Sequence, residues 1–260
     1  MAERLDLVRL DPVRIVDLGC GTGADLNLLG ERYPRAQRVG CDIALPMLRH
    51  SSTRGVWFKR LLPRLSGNYT HLVCADAARL ALKPNCATLI WSNLMLHWLN
   101  EPLAAMHEMH RVLECRGLLM FTTFGPDTLK ELRAAFADMD GSPHVHEFMD
   151  MHDIGDMLMT VGFAEPVMDM ELIKLTYSDA RGLLRELKAS GSTNAAATRR
   201  RGLTGARGWH RALSACDSTR IEGRVPATFE VIYGHAWKPH QRVAADGRAI
   251  VRFAPKARGE

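Results

Sequence analysis

The chain has 260 residues, 47% of them hydrophobic and 24% charged, enough to bury a sizeable core as one large domain or one and a half. That composition excludes a disordered chain, a collagen-like repeat and a small disulfide scaffold. The formal charge of +5 is unevenly placed: residues 1–180 carry 18 Lys and Arg against 23 Asp and Glu, residues 181–224 ten against three, and residues 225–260 six against three, so the positive excess is local and points to one acidic partner surface.

Arg14-Ile-Val-Asp-Leu-Gly19 is a short apolar run ending in glycines, and Ala24 to Arg32 follows with leucines at helical spacing. Strand, turn and helix are expected there. The alternation continues with a strand at Arg38–Asp42, a helix at Leu45–Arg54, strands at Thr70–Cys74 and Thr88–Asn93, a helix at Pro102–Leu113 and a strand at Gly117–Phe124. Strands separated by helical segments predict a Rossmann-like, doubly wound α/β fold, a mostly parallel seven-stranded sheet with helices on both faces. After Gly125 the pattern turns helical (Thr128–Ala137, Met151–Val161, Ser178–Ser190), with one late strand at Ala227–Ala236. Residues Gly191–Gly208 are rich in Ser, Thr, Ala, Gly and Arg with little apolar periodicity, which predicts an exposed loop or short-helix insertion. The expected division is a core over 1–124, a helical substrate-side cap over 125–224 carrying the basic loop 191–208, a return strand over 225–237 and a flexible tail over 238–260.

The longest apolar stretches, such as Ala87–Leu99, are interrupted by Ser92, Asn93 and His97 and fall short of the roughly 20 residues a bilayer requires, so no membrane span is expected. Charges in Met1-Ala-Glu-Arg-Leu-Asp6 stand where an export signal needs an apolar core, which makes the cytoplasm the expected location. Cys20, Cys41, Cys74, Cys86, Cys115 and Cys216 form no C-x-x-C pair and read as reduced thiols rather than metal ligands or disulfide partners.

The informative constellation is Val16-Asp17-Leu18-Gly19-Cys20-Gly21-Thr22-Gly23. Glycines at 19, 21 and 23, after a strand and before a helix, let the main chain turn sharply and approach a ligand without a Cβ in the way. Asp42 closes the next strand, where a carboxylate can accept from both ribose hydroxyls of a nucleoside. The spacing is D-x-G-x-G-x-G rather than G-x-G-x-x-G, and no Gly-Lys-Ser/Thr follows, so a ligand without phosphate fits better. Asp17 would repel a pyrophosphate but suits the amino group and sulfonium of S-adenosylmethionine. Asp76 and Ala77 end a third strand, where a carboxylate and a backbone N–H can read an adenine edge. Any one of these alone is a tight turn or a helix cap; three in register predict an S-adenosylmethionine site.

Over residues 14 to about 124 the sequence resembles the class I S-adenosylmethionine-dependent methyltransferases. The stretches Trp91-Ser-Asn-Leu-Met-Leu-His-Trp98, Thr122-Thr-Phe-Gly-Pro-Asp-Thr-Leu-Lys-Glu-Leu-Arg133, Phe148-Met-Asp-Met-His-Asp-Ile-Gly155 and Val225-Pro-Ala-Thr-Phe-Glu-Val-Ile-Tyr-Gly-His-Ala-Trp237 resemble, more narrowly, the malonyl-acyl carrier protein O-methyltransferases of biotin synthesis. The resemblance implies methyl transfer to the free carboxylate of a malonyl thioester on acyl carrier protein, masking its charge so that fatty acid synthesis can extend it to the pimeloyl stage. It also implies that Gly19, Gly21 and Gly23 line the methionine part of the cofactor, Asp42 the ribose, Asp76 and Ala77 the adenine, and Ser92, Asn93 and Leu94 the floor near the methyl group. Family members carry a further N-terminal segment that closes over the cofactor, whereas 13 residues precede the first strand here; either the start is truncated or the lid is missing. Two other readings keep the fold: the resemblance extends to mitochondrial respiratory-complex assembly factors, which modify a protein arginine and share a Phe-Gly-x-Asp-Thr-Leu segment, and a non-catalytic assembly or binding module is the third class.

A malonyl carboxylate, with a pKa near or under the Asp reference of about 3.9, is already the nucleophile at neutral pH, so no general base is expected. The residues to seek are positioners. Arg133, on a helix after the fifth strand, is the expected grip on the carboxylate, its competing reading being a solvated arginine paired with Asp127. His97 and Trp98 are expected to wall the substrate slot, against capping and core packing. His144, His146 and His152, beside Glu147 and Asp153, lack helical H-x-x-x-H spacing and read as loop histidines, with no metal expected. Arg199, Arg200, Arg201, Arg207 and Arg211 are expected to dock an acidic carrier protein. Nucleic acid is not the expected partner, because Trp209 is the lone aromatic among them.

Overall fold

The computed structural model describes residues 1–53, 70–140, 143–194, 199, 202 and 205–240. Its strands are β1 (Arg14–Leu18), β2 (Gln37–Asp42), β3 (Thr70–Cys74), β4 (Ala87–Asn93), β5 (Leu113–Phe124), β6 (Ala164–Tyr177) and β7 (Val225–Trp237). The α-helices are α1 (Ala24–Arg32), α2 (Leu45–Thr53), α3 (Pro102–Val112), α4 (Lys130–Asp140), α5 (Met151–Val161), α6 (Ala180–Ala189) and α7 (Ala206–Ser218). The strands form one sheet in the order β3-β2-β1-β4-β5-β7-β6. Strands β1 to β5 run parallel, and β7 is antiparallel to both β5 and β6.

Successive residues of the central strands enter opposite cores, as pleating requires of a sheet covered on both faces. Val16, Ile90, Leu119 and Phe121 pack with Met106 and Met109 of α3 and Ile154 and Leu158 of α5. Their neighbours Ile15, Leu89, Trp91, Leu118 and Met120 pack with Leu29 of α1 and with Leu5 from a 3-10 turn at Ala2–Leu7. Gly234 of β7 pairs with Phe121 of β5, and a Cβ there would enter the Phe121 ring. A third core joins Leu132 and Phe136 of α4, Leu183 of α6, Ala212, Leu213 and Cys216 of α7, and Val225 and Ala227 of β7. This is the helical cap on the substrate side.

Two features correct the sequence reading. Residues 125–224 are not wholly helical, because β6 lies within them and forms the sheet edge against β7. Helix α7 begins at Ala206, within the segment expected to be a loop or short-helix insertion, and runs beyond it to Ser218. Of the expected tail, residues 241–260 lie outside the described residues. Between β3 and β4 the chain crosses β1, so the carboxyl ends of β1 and β4 flank the topological switch point, where open α/β sheets hold their ligands.

Candidate active site

The glycine turn leaves β1 at that switch point. Gly19, Gly21 and Gly23 have φ of +80°, +52° and +83°, in the left-handed region that favours glycine. What a Cβ would meet differs at each: the Met95 side chain at Gly19, the Ser51 Oγ at 2.5 Å at Gly23, and nothing within 4 Å at Gly21. Gly21 thus faces open space. Its N–H donates to Asp42 Oδ2 at 2.8 Å, and the Ala44 N–H donates to Asp42 Oδ1 at 2.7 Å, so the carboxylate at the end of β2 is fixed by two main-chain donors. The Ala75 N–H donates to the Asp42 carbonyl at 3.1 Å, bringing Asp76 and Ala77 to the same edge. Asp76 is exposed, its Oδ1 accepting from the Ala78 N–H at 2.9 Å, and Ala77 is buried beneath it.

Asp17 is 2% exposed and its Oδ2 has no hydrogen-bond partner. Burial, then the Asp25 and Asp42 charges, push its carboxyl well above the usual carboxylate range. On the β4 side, Ser92 is buried with its Oγ unpartnered, Asn93 accepts from Thr122 Oγ1, and the Leu94 N–H donates to the same oxygen at 3.0 Å. Sequence reasoning missed Asp25, whose Oδ2 accepts from Trp91 Nε1 at 2.8 Å and Asn93 Nδ2 at 2.9 Å and so ties the first turn of α1 to β4. Its position two residues after Gly23 was the available signal.

These residues fit S-adenosylmethionine. A buried carboxylate with an orphaned oxygen suits a cationic ligand, and the open face of Gly21 leaves room for one against the main chain.

Beyond the end of β5 and the turn after β4 lies a cavity of about 940 Å³ lined in part by His97, Trp98, Phe124, Phe148 and Phe229, with none of the expected cofactor residues among the described lining. His97 stands 4.7 Å from the Phe124 ring and 5.9 Å from Phe148, centroid to centroid. Burial, then the neighbouring His146, lowers its pKa to about 4, so it is neutral near pH 7. The expected wall residues His97 and Trp98 therefore both reach the cavity.

Arg133 does not. Its terminal nitrogens donate to the carbonyls of Pro126 at 2.8 Å, Thr128 at 3.1 Å and His146 at 3.4 Å, so the guanidinium staples the turn after β5 to the loop before α5. The guanidinium expected to grip the carboxylate is thus held by main-chain carbonyls, with its Nε buried and unpartnered. Glu230 of β7 fixes the same turn, accepting from the Asp127 N–H at 2.6 Å. His144 lines the cavity beside Phe136, His146 lines it beside Phe148, and His152 donates its main-chain N–H to Asp150, the cap of α5. Arg207 and Arg211 are exposed on α7, on the face opposite Ala212, Leu213 and Cys216. Arg199 is exposed, while Arg200 and Arg201 lie outside the described residues.

Residues 16–121 match a methyltransferase domain family. The chain is 50% identical over 98% of its length to the malonyl-[acyl-carrier protein] O-methyltransferase of Gallionella capsiferriformans, covering 87% of that protein. It is 51% identical over 99% of its length to the protein of the same name from Laribacter hongkongensis, again covering 87% of it. Among solved structures, a Bacillus halodurans protein assigned as a methyltransferase superposes with a TM-score of 0.62 at 14% identity, over 92% of this chain and 97% of that one. With the glycine turn, the paired strand-end carboxylates and near full-length identity in agreement, the chain belongs to the malonyl-[acyl-carrier protein] O-methyltransferase family of class I S-adenosylmethionine-dependent enzymes.

Proposed function

We propose that this enzyme methylates the free carboxylate of a malonyl thioester on acyl carrier protein, making the ester primer for pimeloyl and so biotin synthesis. The observation that carries the reading is the cavity of about 940 Å³ that takes in Phe124 at the end of β5 and His97 and Trp98 in the turn after β4, in a chain so similar to proteins of that name. When bound, S-adenosylmethionine supplies an electrophilic methyl on sulfur, which a carboxylate oxygen takes as the carbon–sulfur bond breaks.

The protein's part is placement. Gly19, Gly21, Gly23 and Asp17 hold the methionine end of the cofactor, Asp42 the ribose, Asp76 and Ala77 the adenine, and Ser92, Asn93 and Leu94 the floor below the methyl. His97 and Trp98 wall the slot, and the rings of Phe124, Phe148 and Phe229 strip water from the carboxylate. Orientation of this kind supplies of the order of 7–11 kcal/mol. Arg133 acts as a positioning residue through the carbonyls it binds. The exposed Arg199, Arg207 and Arg211, with Arg200 and Arg201, attract the acidic carrier. The six free cysteines suit the cytoplasm, where thiols stay reduced.

The test is incubation with S-adenosylmethionine and malonyl-carrier protein, read by intact-protein mass spectrometry. One methyl gained on the malonyl group, and none on an acetyl-carrier control, is the expected result. Cofactor binding without transfer to the malonyl group overturns it.

A further inference from the structure

Among the described residues, three cations line the cavity: Arg181, Arg185 and Lys188, all from α6, which follows the carboxyl end of β6. At 100° per residue they fall within about 60° of one another, forming a single stripe that flanks the buried stripe of Ala180 and Leu183. All three are exposed, and among the described residues none of their side chains has a hydrogen bond or ion pair. The nearest acids on the helix are engaged elsewhere. Asp179 Oδ1 accepts from the Gly182 N–H and caps α6, and Glu186 hydrogen-bonds Tyr177. Ser192 and Thr193 add hydroxyls to the same rim.

Unpaired cations held together at an apolar cavity mark an anion site, and the fork of an arginine fits phosphate oxygens in particular. This step rests on the function proposed above. A malonyl group bound to a carrier hangs from a pantetheine arm whose far end is a phosphodiester. With the malonyl end placed beside His97 and Phe124, the arm occupies the cavity and its phosphate leaves past α6. We infer that Arg181, Arg185 and Lys188 bind the phosphate of the 4′-phosphopantetheine arm and so set how deeply the thioester enters. Because the phosphate takes no part in methyl transfer, the stripe is a specificity determinant rather than a catalytic group.

The experiment compares binding of 4′-phosphopantetheine and pantetheine by calorimetric titration, without requiring turnover. The wild-type protein is expected to prefer the phosphorylated arm by about 10- to 100-fold at low salt, as three exposed charge contacts allow. The preference should shrink as salt screens the charges. It should collapse towards unity in the R181Q/R185Q/K188Q variant and survive in R185K. Equal binding of the two arms by the wild type overturns the inference, as does a preference that the triple variant keeps. A loss of carrier affinity with the arm preference intact also overturns it, assigning the stripe to the carrier's acidic surface instead. If the wild type shows the stripe-dependent preference but methylates no malonyl-carrier protein, the phosphate site stands and the proposed function fails.

Discussion

Substituting Gly21 with alanine separates a cofactor cradle from an ordinary tight turn, because the three glycines of the turn differ in what a methyl group would meet. At Gly19 and Gly23 a Cβ runs into Met95 and Ser51, so alanine there damages the fold itself. At Gly21 it meets nothing within 4 Å, so the folded protein bears only the left-handed backbone at φ +52°, about 1–2 kcal/mol. For a chain of this size that lowers Tm by a few degrees. The added methyl does, however, fill space that the cofactor is to occupy, an overpacking penalty of about 1–3 kcal/mol, or roughly 5- to 150-fold in affinity. At a concentration of S-adenosylhomocysteine 100 times the wild-type Kd, ligand binding stabilises the wild type by about 2.7 kcal/mol. A 100-fold loss reduces that to about 0.4 kcal/mol at the same concentration. Thermal melts with and without S-adenosylhomocysteine, backed by calorimetric titration, read both quantities on one sample. A variant that folds and binds within about twofold of wild type would refute the assignment of this turn to the cofactor.

Two further outcomes follow from the buried ionisable groups. Asp17→Asn removes a carboxyl whose pKa is raised by folding; such a group costs stability as pH rises above its unfolded value, so the variant should melt higher than wild type near pH 7 yet bind S-adenosylmethionine more weakly. A lower melting temperature with unchanged affinity would mean that Asp17 serves the fold alone. His97 is depressed to about 4 against an ordinary 6.5, so the unfolded chain binds the extra proton between those values and stability falls by about 3 kcal/mol as pH drops through that window. His97→Phe should flatten that part of the stability profile in denaturant titrations from pH 7 to 4, and an unchanged slope would show that the ring is not held neutral.

What was legible in the sequence follows from where each segment lies. Strands β1, β2 and β4 read clearly because both their faces are buried, which enforces short apolar runs, and because the turn after β1 demands glycines. β6 was hidden because it is the sheet edge: most of its residues are exposed, so Val167, Met170, Leu172, Ile173 and Leu175 fall at irregular spacing with no buried face to impose alternation. α7 was hidden because only Ala212, Leu213 and Cys216 are buried along it, and its first turn carries Arg207 and Gly208. In the site, residue type and spacing pointed to Asp17, Asp42 and the glycines, which local chain geometry brings to one edge of the sheet. The surroundings of Arg133, turned from the cavity towards the main chain, were not legible for the opposite reason. Its partners are main-chain carbonyls of Pro126, Thr128 and His146, and no residue type advertises a free carbonyl.

That displacement makes chemical sense. As a carboxylate attacks a methyl on sulfonium, negative and positive charge disappear together, so a fixed cation against the carboxylate would stabilise the reactants more than the transition state and slow the step. The strands and the turns that follow them supply His97, Trp98, Phe124 and Phe229 to the cavity, with His97 neutral at about pKa 4, and no Arg or Lys. Among the described residues, the arginines and lysine that line the cavity come from α6. Charge recognition is thereby moved to a part of the substrate whose charge does not change during the reaction. Binding energy gathered at α6 can then hold the thioester in place without resisting the loss of charge at the carboxylate, so it raises affinity without lowering kcat. An arginine introduced at Phe124 should accordingly tighten malonyl binding while lowering kcat, and a variant in which both rose would refute this account of the cavity's polarity.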